Sequence, residues 1–329
     1  METRRPTNPD AEEILGGYFP VLDHGFVALV DYMGSDDSIE RAARVSYGYG
    51  TRKTSATRGL VRYLRRHRHT TPSEMVELNF HCAMPMFVAR QWIRHRTASV
   101  NEYSGRYSLM PLLFYTPPQE HFSLQSPTNN QGRGELAEAD VYRTARERWD
   151  RIRSEAGEAY GWMVQADVAR EIARIDLPLS TYTQWYWKID LHNLLHFLSL
   201  RVDPHAQWEI RAYAEVMAGI VKRVAPLSYE AWVDYDLGAA PLSRGERAAL
   251  SRLLEVRGDG IGVREGAALS ESELGGLGLS AREVRELQTK LTEPVRPEFE
   301  LDLGRMRPAE EVAAEMARAV PSFEEQPGD

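Results

Sequence analysis

Cysteine is almost absent from the 329-residue sequence, which contains Cys82 and no other thiol. A single thiol excludes an internal disulfide framework, a cysteine-based zinc site and a CxxC redox pair. The sequence has no run of about 18 apolar residues, so no transmembrane helix is expected. The N-terminal METRRPTNPDAEE has no apolar stretch behind its arginines, unlike a secretory signal. These features predict a cytoplasmic protein that does not contact a membrane.

Lysine is also rare, since only four of the 40 basic residues are lysines and the rest are arginines. Arginine is suited to holding phosphate or carboxylate groups through paired hydrogen bonds. The net charge of −8 argues against general nucleic-acid binding, yet Arg41–Arg106 contains 13 basic and three acidic residues. This basic segment predicts a compact site for a polyanionic ligand. The alternative is a set of solvated arginines that pair with carboxylates elsewhere.

Three segments have the composition or periodicity of β-strands. Gly25–Tyr32 and Thr181–Ile189 are rich in β-branched and aromatic residues. Between Val76 and Met84, apolar and polar residues alternate, which predicts a half-buried strand with Cys82 on its apolar face.

The predicted helices do not alternate regularly with these strands. Helices are expected for 86–96, for about 135–175 with a break near Gly157 or Gly161, for 191–201 and for 203 to about 224. Residues 115–133 have the composition of a loop. We therefore expect an α+β fold, with mixed helices and a mainly antiparallel sheet, rather than a doubly wound parallel sheet.

The composition divides the chain into three parts. Residues 1–24 are expected to form a loose lead-in, and 25–240 the main domain. Residues 241–329 are acidic and contain glycine clusters and scattered prolines, so we expect an extension of limited structure and unknown role. Its removal is expected to leave activity in place.

The densest polar cluster is the segment RHRTASVNEYSGR at Arg94–Arg106. Two arginines so close together repel each other unless an anion or a carboxylate lies between them. Ser104-Gly105-Arg106 offers a hydroxyl, an accessible backbone and a guanidinium, which together could hold a phosphate. The alternative is an arginine-rich helix end that pairs with carboxylates, followed by an ordinary Ser-Gly turn.

This cluster matches every fixed position of RHRxxSxNExSxR, the signature of the flavin-dependent thymidylate synthases. The surrounding sequence resembles the family as well, in GFVALVDYMGSDDSIERAARVSYG, in the loop His69–Glu74 and in AREIARIDLPLSTYTQWYWKIDLHNLLHFLSLRVDPHAQWEIR. The resemblance covers roughly 25–235 and implies the fold of that family.

The resemblance implies the reductive methylation of dUMP to dTMP in de novo dTMP biosynthesis. In the family, 5,10-methylenetetrahydrofolate supplies the carbon, and FAD reduced by NADPH supplies the hydride. The family's sites are assembled across the subunits of a homotetramer, so shared active sites are implied here too. A flavin route needs no protein nucleophile, which agrees with the predicted burial of Cys82.

The resemblance also assigns the contacts of dUMP, with Ser104 and Arg106 at the phosphate and Arg201 as the catalytic residue against the uracil ring. From its position alone, Arg174 would be expected to pair within its helix, and Arg201 to complement a helix C-terminus. The full set implied for dUMP is Gln91, Trp92, Ile93, Arg94, Glu102, Tyr103, Ser104, Gly105, Arg106, Arg174 and Arg201.

The FAD contacts implied by the resemblance include one departure from the family pattern. The family usually has Asn-x-Arg where this chain has Asp190-Leu191-His192, and an aspartate would repel the FAD phosphates. Asp190 could instead cap the following helix. The full set implied for FAD is His69, Thr71, Arg94, His95, Arg96, Glu102, Asp190, His192 and His196.

Three alternatives to this interpretation remain open. The i, i+4 spacing of His192 and His196 could suggest a metal pair, but no third ligand is evident and we expect no metal. A basic-patch module could bind nucleotides or RNA without catalysis. A flavin- or folate-binding paralogue could have lost turnover because of Asp190 and His192.

Overall fold

The computed structural model describes residues 7–46, 57–127, 132–292 and 298–322. The chain divides into two compact units, of which the first contains Met1–Trp232 and Phe299–Asp329 and the second contains Val233–Glu298. The strands are β1 (Tyr18–Val21), β2 (Gly25–Met33), β3 (Glu77–Pro85), β4 (Ser99–Glu102), β5 (Ser123–Gln125), β6 (Arg133–Leu136), β7 (Tyr182–Asp190), β8 (Leu254–Arg257) and β9 (Gly260–Val263).

The helices are distributed over both units, and within the described residues none is both long and apolar enough to span a bilayer. They are α1 (Pro9–Glu12), α2 (Asp36–Val45), α3 (Thr57–Arg66), α4 (Met86–Trp92), α5 (Ala139–Gln165), α6 (Arg170–Ala173), α7 (Leu191–Arg201), α8 (Trp208–Val224), α9 (Pro226–Trp232), α10 (Arg244–Leu253), α11 (Glu271–Gly276), α12 (Ala281–Thr292) and α13 (Ala309–Arg318).

A five-stranded sheet in the order β1-β2-β3-β7-β4 forms the framework of the first unit. All of its strand pairs are antiparallel, which confirms the expected α+β class. Successive side chains of β7 point to opposite faces of the sheet. Trp185, Trp187 and Ile189 are buried on one face, whereas Tyr186 is exposed on the other. Helices α7 and α8 contribute further apolar side chains to the core.

A loose lead-in is expected at 1–24, but part of this segment is a strand of the main sheet. Residues 1–6 lie outside the described part. Residues 18–21 form β1, which pairs with β2 from Tyr18 opposite Ala28 to Val21 opposite Gly25. Phe19 and Val21 are buried. The segment is therefore an edge of the main sheet, and its shortness hid the alternating pattern.

Helix α4 is shorter than predicted, since it ends at Trp92 instead of continuing to Arg96. The chain then returns as β4, an edge strand that the sequence did not predict, with Ser99 opposite Lys188 and Glu102 opposite Trp185. Because β7 supplies the hydrogen bonds of β4, this strand depends on a partner that is remote in sequence.

Helix α5 runs through Gly157 and Gly161, so the predicted break at these glycines is wrong. The helix ends at Gln165 and is followed by Asp167, whose φ of 56° is left-handed. A glycine inside a helix costs about 1 kcal/mol, which a long packed helix tolerates. The region predicted as loop between 115 and 133 also contains β5, which pairs with β6 in a small hairpin.

Residues 299–322, which we call the C-terminal strap, belong to the first unit and pack on its sheet. Tyr18 and Arg307 exchange two backbone hydrogen bonds, of 2.9 Å and 2.8 Å. Val312 in the strap is buried against Phe26 and Ala83 of the sheet. Residues 241–329 therefore do not form one extension: those up to Glu298 belong to the second unit, and those from Phe299 belong to the first. The acidic average of that region masked the apolar residues that join the strap to the sheet.

The second unit, Val233–Glu298, contains α10, α11, α12 and the β8–β9 hairpin. Ser243 and Glu246 form a capping box at the start of α10, in which the backbone N–H of Ser243 donates to Glu246 Oε2 over 2.6 Å. The apolar centre of the unit consists of Ala249, Leu279, Val284 and Leu287. The expectation of limited structure is wrong for these residues.

Candidate active site

The segment that carries the signature is anchored at both of its ends. At its start, the fully buried Trp92 stacks on Phe197 of α7, with ring centroids 5.1 Å apart. At its end, the backbone N–H of Tyr103 donates to the carbonyl of Gln184 over 2.8 Å. Thr183 Oγ1 also donates to Glu102 Oε1, over 2.8 Å. These contacts fix the two ends of the segment, and the polar residues Arg94–Thr97 between them lie beside α7.

A cleft of about 390 Å³ opens between this segment and α7. Its size lies within the range of ligand pockets. Among the described residues, its walls contain cationic and neutral groups and no carboxylate, a composition that favours an anionic ligand. The lining residues are Arg94, His95, Arg96, Thr97, Ile189, Asn193, His196, Leu200 and Arg201.

Arg201 is held against His95, because its Nε donates to His95 Nε2 over 3.2 Å. Burial, the charge of Arg201 and the neighbouring His196 lower the pKa of His95 to about 4. His95 is therefore a neutral imidazole at pH 7, which is the form that can accept from a guanidinium. The ring of Phe197 lies 4.8 Å from that of His95 and holds it in place.

A second group of predicted residues meets at the turn formed by Ser104, Gly105 and Arg106. The backbone N–H of Arg106 donates to Ser104 Oγ over 3.3 Å. A Cβ atom on Gly105 would lie 3.0 Å from Cδ of Arg174 and 2.5 Å from Sδ of Met110. Arg174 thus packs directly on the turn, although it lies 68 positions after Arg106 in the sequence. A larger residue at position 105 would therefore displace the flexible side chains of Met110 and Arg174.

Not every predicted residue lines the cleft. Ser104, Gly105, Arg106 and Arg174 are absent from its walls, as are His69 and Thr71. His69 lies in a cluster of aromatic rings, 5.9 Å from that of Tyr63, and Thr71 begins a 3₁₀ turn. The side chain of Trp92 is fully buried, so a dUMP contact at this residue would use its backbone.

Asp190 caps α7, as one of the alternatives predicted. Its Oδ1 accepts from the backbone N–H of Asn193 over 3.0 Å, and its Oδ2 accepts from Nδ2 of the same residue over 2.7 Å. The carboxylate is absent from the cleft lining, and Asn193 is present there instead. Sequence reasoning missed Asn193, although an amide at the third position of a capped helix is a recognisable signal.

His192 and His196 both lie on α7, at the i, i+4 spacing that raised the alternative of a metal pair. Within the described residues, no three His, Cys, Asp or Glu side chains could together hold a metal ion. His196 faces the cleft, with its ring 6.2 Å from that of His95. His192 Nδ1 is buried and has no hydrogen-bond partner in the described part of the chain.

The family profile described as "Thymidylate synthase complementing protein" matches residues 28–227, which is more than half of the chain. The chain belongs to the flavin-dependent thymidylate synthase family. The flavin-dependent thymidylate synthase of Gluconobacter oxydans is 52% identical over 77% of this chain and 84% of its own length. That of Ruegeria pomeroyi is 49% identical over 87% of this chain and 92% of its own length.

Among solved structures, the chain is similar to the UMP/dUMP methylase PolB of Streptomyces cacaoi bound with 5-Br UMP. The two are 35% identical, with a TM-score of 0.60 over 66% of this chain and 97% of that one. The match to the Ruegeria relative is too long to fit within residues 1–240, so it includes part of 241–329. The expectation that the resemblance ends near residue 240 is therefore wrong.

The cleft suits the anionic flavin cofactor of this family. Arg94, Arg96 and Arg201 supply positive charge, and Asn193 supplies an amide. The one carboxylate expected to oppose the phosphates, that of Asp190, is bound by Asn193. Asp190 is thus engaged at the N-terminus of α7 and does not line the cleft.

The thiol of Cys82 is unsuited to attack a nucleotide in this flavin-dependent enzyme. It is fully buried on β3, and burial raises its pKa. We expect Cys82→Ala to retain most of the dTMP-forming activity while losing some stability, because a small core side chain is truncated. Activity per folded molecule, with the folded fraction taken from a thermal melt, is the measurement. Complete loss of turnover in a folded variant would show that the thiol takes part.

Proposed function

We propose that this chain converts dUMP to dTMP by reductive methylation. 5,10-Methylenetetrahydrofolate is the carbon donor, and FAD reduced by NADPH is the hydride source. The observation that carries the proposal is the complete signature at Arg94–Arg106, whose first residues line a cationic cleft beside α7. The family relationship favours this reaction over a basic-patch module that binds nucleotides or RNA without catalysis.

The residues of the cleft are proposed to bind FAD, and those of the Ser104–Arg106 turn are proposed to bind dUMP. Arg94, His95, Arg96 and His196 are proposed to hold FAD, which supplies the hydride when bound. Ser104, Arg106 and Arg174 are proposed to bind the phosphate of dUMP, since a guanidinium and a hydroxyl at a tight turn form charge-assisted hydrogen bonds. Gln91 and Glu102 are proposed to contact the rest of the nucleotide.

Arg201 is proposed to act on the uracil ring. Addition to the ring moves electron density onto its carbonyl and imide groups, and a fixed guanidinium stabilises that charge. The neutral His95 accepts from Nε of Arg201 and so fixes the plane of the guanidinium. The terminal nitrogens of Arg201 make no hydrogen bond to another residue in the described part of the chain, so they are available to the substrate.

The chain is proposed to act in the cytoplasm as a homotetramer with shared active sites. The Ser104–Arg106 turn and Arg174 lie outside the lining of the cleft. Because the proposed FAD residues and the proposed phosphate residues do not line one cleft of a single chain, the proposal is that a second subunit completes each active site. Light scattering of the purified protein gives the oligomeric state.

A turnover assay tests the proposed reaction. The purified protein is incubated with dUMP, methylenetetrahydrofolate, NADPH and FAD, and dTMP is measured as each component is omitted in turn. Formation of dTMP only in the complete mixture supports the proposal. A protein that lacks flavin absorbance yet binds nucleotides would support the binding module, and a yellow protein without turnover would support the inactive paralogue.

Arg106→Ala is expected to weaken dUMP binding by about 10- to 100-fold, because a charge-assisted contact with a phosphate is worth roughly 1.5–3 kcal/mol. FAD binding should change much less, since Arg106 lies outside the cleft lining. Titrations with each ligand measure the two effects. Arg151→Ala, an exposed position on α5, is the matched control. Equal losses for dUMP and FAD would contradict a phosphate contact at this turn.

A further inference from the structure

A chain of hydrogen bonds connects Gln91, in the last turn of α4, to the start of α8. Gln91 Nε2 donates to Gln207 Oε1. Gln207 Nε2 in turn donates to Glu209 Oε2 over 2.9 Å. Gln91 and Gln207 are 116 positions apart, so the fold alone brings them together.

Glu209 is the fixed end of this chain of hydrogen bonds. Its side chain is 4% exposed and also accepts from Arg133 Nη2, at 2.5 Å and 2.7 Å, and from the hydroxyl of Tyr115, at 3.1 Å. Burial, and after it the charge of Glu209, raises the pKa of Tyr115, which therefore remains a protonated donor. A carboxylate held by a guanidinium and a phenol offers only acceptor positions.

This fixed end determines the orientation of both amides. Because Glu209 can only accept, Gln207 must turn its NH₂ group toward the carboxylate and its carbonyl oxygen toward Gln91. Gln91 must then use its own NH₂ group to reach Gln207. Within the described residues, no other hydrogen bond of the Gln91 side chain is present, so its Oε1 is left as an acceptor. The assignment of oxygen and nitrogen in the Gln91 and Gln207 amides is thus determined by the Glu209 carboxylate.

We propose that Gln207 and Glu209 are positioning residues that fix Gln91 as a hydrogen-bond acceptor for the pyrimidine ring and so select uracil over cytosine. This inference rests on the proposed function, in which Gln91 contacts dUMP. A uracil nucleotide has a single ring donor, N3–H, whereas the N3 of cytosine is an acceptor. An acceptor that cannot rotate attracts the first ring and repels the second at this atom.

The expected discrimination can be measured as a ratio of affinities. A site that presents an acceptor to a ring acceptor loses a hydrogen bond and leaves buried polar groups unpaired, so dCMP is expected to bind about 100-fold more weakly than dUMP. The ratio depends on the amide orientation and is insensitive to a general loss of stability, which affects both nucleotides alike.

Gln207→Met tests the proposal, because methionine keeps the length of the side chain and removes both polar groups. In the FAD-loaded protein, titration calorimetry with dUMP and dCMP should show the ratio of their Kd values falling by at least about 10-fold, since the Gln91 amide is then able to rotate. Gln207→Asn, which is too short to connect both partners, should act in the same direction if Gln207→Met folds poorly. Gln288→Met on α12, where the side chain is exposed, is the matched control.

Gln91→Met separates a positioning role from a direct one. If Gln207 acts through Gln91, the double variant should show no greater loss of discrimination than Gln91→Met alone. An unchanged ratio in both folded Gln207 variants overturns the inference. A parent protein that binds neither nucleotide overturns the proposed function instead, so the two failures are distinguishable.

Discussion

Arg201→Ala is expected to fold, to retain FAD and to lose dTMP formation by about 100- to 1,000-fold, the effect typical of removing a donor that stabilises developing charge. Arg201 lines the cleft and is half-buried beside His95. Its only hydrogen bond within the described part of the chain uses Nε, with His95 as acceptor. The terminal nitrogens of the guanidinium make no hydrogen bond to another of the described residues, and they face the cleft lining in which Arg201 takes part.

The competing explanation for Arg201 is a purely structural one. It is the last residue of α7, where a cation complements the helix dipole. That effect is worth ~0.3–1 kcal/mol of stability and does not alter chemistry. Arg201→Lys separates the two explanations, because a lysine keeps the charge at the helix end but cannot reproduce the planar guanidinium.

Steady-state dTMP formation, a thermal melt and a flavin spectrum are the measurements for both Arg201 variants. Low turnover in Arg201→Ala and Arg201→Lys, with flavin and melting temperature preserved, is the expected outcome. Turnover of Arg201→Ala within a few-fold of the parent would establish the helix-end role and remove Arg201 from the chemistry.

Removal of all residues after Glu298 is expected to destabilise the first unit severely. The deletion uncovers Phe26 and Ala83, which pack on the buried Val312. It also removes Leu301, whose side chain lies 2.8 Å from where a Cβ atom of Gly219 would stand. Each fully buried apolar side chain is worth roughly 1.5–3 kcal/mol. With the partly buried contacts of the strap, the loss is about 4 kcal/mol or more, a large share of the stability of a typical domain.

The shift in melting temperature, measured by circular dichroism, tests this expectation. A loss of that size lowers Tm by roughly 10 °C or more in a unit of this length. Removal of residues 323–329 alone, which leaves the C-terminal strap intact, is the control. A truncated protein that melts like the parent would show that the strap does not contribute to the fold, as the composition of 241–329 suggested.

The sequence predicts β2, β3 and β7 of the first unit because the signal of these strands is local. The alternation in β3 and the aromatic run in β7 identify both elements without knowledge of their partners. Edge strand β4 and the early end of α4 depend on hydrogen bonds from β7, which no local pattern reveals.

The same distinction holds for the candidate site. The signature could be recognised in one continuous segment, as could the capping role of Asp190. The packing of Arg174 on Gly105 and the bond between Gln91 and Gln207 join residues that are far apart in sequence. The fold creates these contacts, so they became apparent only once the elements were in place.

The return of the C-terminal strap to the sheet has a consequence for the order in which the chain is made. A ribosome adds about 5–20 residues per second, so Val312 follows Trp232 by roughly 4–16 s. During that interval the surface of Phe26 and Ala83 that Val312 covers stays open in the nascent chain. The first unit thus reaches its final form only after Val312 has been synthesised, and until then this apolar surface is available to chaperones or to aggregation.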